Sequence, residues 1–346
     1  MTEEIYQSVY HRQKPVREFD LYQTLYTTVK NVNKDNLNLN AIGYLGTNIT
    51  FAKLLKNVDR LADAYSKAGI KEGDTVAICT INMPLVQENL LALSKLGATS
   101  KWIDLRIKGK ELVKNINESD CRIIVVFEGI LPVIKEIIEE THVENVLVAS
   151  PKDYLSPIIR IIANIKDKKD KKYIALPQDK RFMRYKKFIK SGDFNSNVKP
   201  VEFKKDRPSI IVQSSGSTGI AKSIVHTEYN FNSAMQKEAY LDWPFAVGKT
   251  IYTAIPPFII YGLNNSIYAC LAFGMKAEMT PYVDESTVFR DLGKYDFACA
   301  APIHYRYLYN KLIEIRTLNV KKYLSQWDLP LKITAKLLPT MNVLNL

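Results

Sequence analysis

The chain has 346 residues, 47% of them hydrophobic, and a formal charge of +12. That length and apolar content suffice for one large domain or two smaller ones with a substantial core, while no apolar run approaches the roughly 20 residues that cross a bilayer. The charged opening MTEEIYQSVYHRQKPVREFD holds no hydrophobic signal core, which argues against export, and Cys79, Cys121, Cys270 and Cys299 lack CxxC spacing and read as buried thiols of a reducing, cytoplasmic setting.

Residues 1–40 are set apart as an N-terminal extension, and clear patterning begins near GYLGTNITF. Thr50 is placed to cap a helix whose apolar positions Leu54, Leu55, Val58, Leu61, Ala62 and Tyr65 recur at helical spacing, and Gly69 is placed to end it. DTVAICT follows as a strand, then PLVQENLLALSKLG as a helix with proline in its first turn and glycine after its end. Strand TSKWID, helix GKELVKNIN, strand CRIIVVF, helix LPVIKEIIEE and strand VENVLVAS continue the alternation. Strands separated by helices of this length make parallel βαβ units with right-handed crossovers.

Between Lys166 and Lys190 lie eleven Lys and Arg against three Asp, a net +8. Such a run suits nucleic-acid phosphates. It is nevertheless punctuated and carries no reader motif, so residues 166–199 read as a solvated connection, with an anionic ligand or surface as the other reading. The α/β grammar then resumes with strand PSIIVQSS, a helix from Glu228, strand KTIYTAIPP, helix LNNSIYACLAFG, strands MKAEMTP and YDFACAAP, and helices at about 285–293 and 302–313. The expected fold is α/β, with two halves at about 41–165 and 200–322 that share or face their sheets. No sharp boundary separates them, because neither half is obviously self-sufficient. After Tyr323 the pattern fades into a divergent or truncated tail, residues 323–346.

The stretch QSSGSTGIAKS carries the chemistry. Gly216 and Gly219 permit tight turns and close approach of a ligand. Successive backbone N–H groups in such a turn form an anion-binding nest. Ser214, Ser215, Ser217 and Thr218 add hydroxyl donors, and Lys222 adds a mobile positive charge. Following a strand, this is a cradle for nucleotide phosphates, although on composition alone a Ser/Gly surface turn fits equally well. It is neither the P-loop nor the dinucleotide glycine fingerprint. His226 and His304 have no partner at metal-ligand spacing and read as structural or surface residues, and no serine-nucleophile motif is present.

Residues 214–223, SSGSTGIAKS, resemble the signature loop of the adenylate-forming superfamily, which includes acyl-CoA synthetases, luciferases and adenylation domains. That family usually has Thr-Ser-Gly-Ser-Thr-Gly-x-Pro-Lys-Gly. Ser215 to Gly219 match in succession and Lys222 falls on the family's lysine, while Ser214, Ala221 and Ser223 depart from it. Downstream, Asn230 matches a common asparagine, but Glu228 stands at a common histidine position. IPPFIIYGL resembles the family's Pro-x-Phe-His-x-x-Gly through Pro256, Phe258 and Gly262, with Ile259 in the histidine's place. Gly73-Asp74-x-Val76, Asn82-x-Pro84 and Gly97-Ala98 repeat the family's opening order, so the resemblance covers about 40–322.

The resemblance implies formation of an acyl-adenylate from a carboxylate and ATP, then transfer of the acyl group to a thiol, usually that of CoA. It assigns Ser214, Ser215, Gly216, Ser217, Thr218, Gly219 and Lys222 to the phosphates, with Thr218 and Lys222 as the catalytic pair. Phe258, Ile259, Tyr261 and Gly262 would border the acyl pocket. ATP, magnesium bridging its phosphates and, least directly, CoA are the implied cofactors. Members usually continue through a Gly-Gly adenine turn, a Tyr-Gly-x-Thr-Glu motif, a ribose aspartate and a small C-terminal domain with a catalytic lysine. None of these is found here. The expectation is a ligase-like N-terminal region incomplete for catalysis, with a homo-oligomer or a complementing chain as the source of the remainder. A non-catalytic nucleotide- or protein-binding remnant and a basic nucleic-acid-associated protein stand as alternatives.

Overall fold

A computed structural model describes residues 14–170, 174–194, 197–214, 222–241, 243, 245–281, 283–292 and 294–317. Helix α1 (Leu25–Val32) comes first, then strands β1 (Asn40–Tyr44) and β2 (Thr47–Thr50) and helix α2 (Phe51–Lys67). There follow β3 (Thr75–Cys79), α3 (Leu85–Leu96), β4 (Thr99–Trp102), α4 (Gly109–Asn117), β5 (Ile123–Phe127), α5 (Leu131–Ile137), β6 (Asn145–Ala149) and α6 (Pro157–Lys169). Strand β7 (Phe182–Arg184) and helix α7 (Tyr185–Ser191) precede β8 (Pro208–Gln213), β9 (Ser223–Thr227) and α8 (Glu228–Glu238). Strand β10 (Thr250–Thr253) leads to a π-helical turn at Gly262–Tyr268, which continues into α9 (Ala269–Ala272). Strand β11 (Lys276–Met279), α10 (Glu285–Asp291), β12 (Phe297–Cys299) and α11 (Pro302–Thr317) complete the described chain.

The strands form two sheets, one of seven in the order β7-β6-β5-β3-β4-β8-β9 and one of five in the order β12-β10-β11-β1-β2. Pairing is parallel throughout, except between β8 and β9 and between β1 and β2. The fold is thus α/β, as the alternation of strands and helices predicts. Strand β5 (IIVVF) shows why: a continuous apolar run suits a parallel strand covered on both faces. Each sheet draws strands from both halves of the chain. Strands β8 and β9 extend the sheet built by β3 to β7, while β1 and β2 join β10 to β12.

Local signals act where expected. The Thr50 hydroxyl accepts a hydrogen bond from the Lys53 N–H and caps α2, and Gly97 takes the left-handed conformation that ends α3. All twelve residues of α3 are buried, and its polar side chains find partners inside the core apart from the Gln87 Oε1 oxygen. Glu88 accepts from Asn57 Nδ2 (2.8 Å) and the Tyr154 hydroxyl (2.6 Å), and burial pushes its carboxyl above the ordinary range. Asn89 accepts from the Tyr65 hydroxyl (2.5 Å) and donates to the Leu85 carbonyl (2.7 Å). Leu25, Tyr26 and Val29 of α1 belong to the same core as Ile42 of one sheet and Ile78 of the other. The segment set apart as an extension therefore contributes a core helix.

The basic connection is corrected by the structure, which finds β7 and α7 within it. Phe182, Tyr185 and Phe188 are buried, and β7 pairs with β6 at the edge of the larger sheet. Helix α7 ends against α2, where Arg60 Nε donates to the Gly192 carbonyl (2.9 Å) and Asp63 accepts from the Asp193 N–H (2.7 Å). The lysines of this segment hide an apolar face of only a few residues, too short to stand out as a pattern.

Candidate active site

The hairpin of β8 and β9 runs in register up to Gln213 opposite Ser223. Its pairing continues one residue further: the Ser214 N–H donates to the Lys222 carbonyl (2.9 Å), and the Lys222 N–H donates to Ser214 Oγ (3.1 Å). Ser214 and Lys222 therefore clamp the two ends of the glycine-rich turn. Ser215, Gly216, Ser217, Thr218 and Gly219 lie outside the described residues. Lys222 is exposed at the clamp. Antiparallel β9 was not visible in the sequence, because SIVHT is short and sits at a sheet edge.

Strand β8 pairs in parallel with β4 on its other side, so the turn springs from the carboxyl end of a parallel strand. In open α/β sheets that is where ligands bind. The segment 256–262 follows the carboxyl end of β10 in the other sheet. Asn82, which follows β3, ties the two ends together by donating to the Thr253 and Ile255 carbonyls (3.3 and 3.1 Å). Arg106, which follows β4, lies over the Phe258 ring at 5.9 Å from its centre. Phe258 is thus brought to the loop beyond the strand next to β8.

Ile259 and Tyr261 are each 41% exposed, whereas Gly262 is buried. A Cβ on Gly262 would lie 2.5 Å from the Pro256 carbonyl oxygen, so any side chain here would force the segment apart. Glycine lets the π-helical turn start hard against the strand's exit. π-Turns of this kind often sit at functional sites.

A buried polar chain runs beneath the segment. The Tyr261 hydroxyl bonds to the Cys299 thiol, whose proton reaches the Asn265 carbonyl (3.4 Å). Asn265 Nδ2 in turn donates to Glu238 Oε1. The other carboxyl oxygen of Glu238 is buried without a hydrogen bond, and burial pushes this carboxyl up to about 8. Sequence reasoning missed Glu238, because a glutamate in QKEAYLD has the look of a solvated helix end. Arg106 and Asn82 were missed as site-forming residues for want of any local signal.

Other candidates resolve as structure. All four cysteines are free and buried, and burial raises each thiol, Cys121 and Cys299 to about 12. They are poor nucleophiles at neutral pH. His226 packs edge-on against Phe231, and His304 Nδ1 accepts the Ala301 N–H (2.9 Å); burial lowers both. Glu228, standing at the family's histidine position, is a buried clamp. It accepts from the Ser94 hydroxyl (2.5 Å) and the Leu25 N–H (3.1 Å), and pairs with Arg207 (3.2 Å).

The family model described as AMP-binding enzyme matches residues 29–329. The chain belongs to the AMP-binding enzyme family. Among relatives of this AMP-binding chain, a long-chain-fatty-acid–CoA ligase of Salmonella typhimurium is 23% identical over 302 residues, covering 85% of this chain and 53% of the relative. Acetyl-coenzyme A synthetase 1 of Candida albicans is 26% identical over 181 residues, covering 52% of this chain and 25% of the relative. The AMP-binding chain spans about half the length of the long-chain ligase it matches. Its fold is shared with an anthranilate CoA ligase solved with anthranoyl-AMP (TM-score 0.71, 15% identity, 85% of this chain and 52% of that one). It is shared equally with a long-chain-fatty-acid-CoA ligase of Archaeoglobus fulgidus (TM-score 0.70, 18% identity, 87% and 56%).

Proposed function

We propose that this AMP-binding chain carries the phosphate and acyl sides of an ATP-dependent acid–thiol ligase. The observation that carries the reading is the clamp of Ser214 on Lys222 at the carboxyl end of β8. It fixes the origin of a turn whose backbone N–H groups and hydroxyls suit phosphate oxygens. In the proposed reaction a carboxylate oxygen attacks the α-phosphorus of ATP, pyrophosphate departs, and a thiol such as that of CoA then displaces AMP from the acyl-adenylate. Lys222 and Thr218 would offset charge on the phosphates during the first step. Phe258, Ile259 and Tyr261 would meet the acyl group, with Gly262 setting the bend of their segment. Among the described residues no three His, Cys, Asp or Glu side chains gather as a metal site, so these residues do not form a magnesium cage.

No stretch of the sequence matches the family's adenine turn, ribose aspartate or magnesium-binding glutamate. On this reading the 346-residue polypeptide binds ATP weakly and does not form acyl-adenylate rapidly by itself. Loss of one well-placed donor alone slows such chemistry roughly 10²–10³-fold. The test pairs ATP titration with carboxylate-dependent exchange of labelled pyrophosphate into ATP, comparing the native chain with Lys222→Ala. Loss of one charge-assisted hydrogen bond predicts roughly tenfold weaker ATP binding in the variant. Equal binding by both would remove the turn from the phosphate site. Rapid exchange by the native chain, lost in the variant, would show a full catalytic set in this polypeptide.

A further inference from the structure

Helix α6 turns its apolar face outward. Ile158, Ile161, Ile162 and Ile165 share one side of the helix by their spacing, and they are 73, 59, 61 and 62% exposed. Its polar side faces the body of the protein. Arg160 and Asn164 line a cavity of about 180 Å³ together with Glu128, Lys152 and Arg184, and Asp167 pairs with Lys152. A surface helix normally buries its apolar stripe and shows its charges. An exposed apolar patch of this kind marks an interaction surface.

The surroundings of that face are basic. Lys166 and Lys169 on α6 are exposed, as are Lys180, Lys187 and Lys190 nearby in sequence. On the body-facing side of α6, its Arg160 and Lys186 of α7 share their surroundings with Asp153 and Glu88. The stretch from Lys166 to Lys190 carries a net +8. A second copy of the chain docked face to face on α6 would bring these like charges together. An anionic surface would draw them in.

We propose that α6 is an interfacial anchor that lays its isoleucine face into the surface of an anionic phospholipid bilayer, with the flanking lysines on the headgroups. Its thirteen residues span roughly 20 Å, too little to cross a hydrocarbon core of about 30 Å. Among the described residues no helix is long and apolar enough to do so. The helix therefore lies in the interface plane, and one short helix with basic flanks binds reversibly and in a salt-sensitive manner.

Flotation of the full chain with vesicles tests the anchor. Vesicles of phosphatidylcholine with about a third phosphatidylserine should carry the protein at low salt. Partition should fall roughly tenfold on pure phosphatidylcholine or in about 0.5 M salt. The triple variant Ile161→Ser, Ile162→Ser, Ile165→Ser should lose binding to the same extent with an unchanged melting temperature, since all three side chains are exposed. As a second reading, Ile162→Cys labelled with an environment-sensitive dye should shift to the blue with anionic vesicles; the four native thiols are buried and leave the label to this site. No partition to anionic vesicles, no dye shift, or binding untouched by the serine substitutions would overturn the proposal. So would a concentration-dependent dimer abolished by those substitutions, which would give the face to a second copy.

Discussion

Glu238 closes α8 with its carboxyl inside the protein, one oxygen on Asn265 and the other without a partner. Below its ordinary 4.5 the group is protonated in folded and unfolded chains alike. From there up to about 8 only the folded chain keeps it. Stability should therefore fall as pH rises across that window, and the whole loss should be present above it. Glu238→Gln removes the titration while keeping the shape and an acceptor for Asn265. Thermal melts between about pH 5 and 9 should show the variant gaining on the native chain as pH rises, by on the order of 3 kcal/mol at the alkaline end. Parallel curves would show that the carboxyl is not held protonated. Nothing in the local sequence announces this residue, because its burial is imposed by Asn265 and Cys299 from a distant part of the chain. The stretch from Ser214 to Lys222 is the opposite case. There the proposed phosphate role rests on the spacing of glycines, hydroxyls and a lysine in the sequence itself.

Among the elements, α7 meets α2 through a close backbone contact at its end. The carbonyl of Arg60 on α2 sits so close to Gly192 that a Cβ there would lie 2.0 Å from it, with the Ala64 nitrogen at 2.9 Å. Gly192→Ala must push the end of α7 off α2, and overpacking of this sort costs about 1–3 kcal/mol. Lys187→Ala, exposed on the same helix, should stay within about 0.5 kcal/mol of the native chain. Urea denaturation of the two variants checks this, and equal losses would refute the close contact. Elements with long apolar runs or strong end signals were legible beforehand: β5, α2 with its Thr50 cap, and α3 with Gly97. Elements of a few residues whose partners lie far away were not. Strand β7 has three residues, β9 is an edge strand, and α1 looks like a tail until the core it enters is known.

At the scale of the molecule, the exchange of strands between sheets welds the two halves. Trp102 lies buried in the larger sheet, and Trp243 packs at 5.3 Å on Phe297 of the smaller one. Chains retaining one or other of these indoles as reporter should unfold in urea at the same midpoint, because Leu25, Ile42 and Ile78 belong to one core. Two separate midpoints would show the sheets to be independent. Sheet order was not legible in the sequence, since strand spacing says nothing about which strands meet. The pairing of β1 also bears on the birth of the protein. Ile42 lies opposite Ala277, so a chain emerging from the ribosome makes its first hairpin long before it makes the strand that hairpin needs. Until then β1 presents an unpaired edge, the kind of surface that recruits other nascent chains. Synthesis must run through most of the polypeptide before the smaller sheet can close, which makes the speed of translation and the holding of early segments by chaperones part of how this fold is reached.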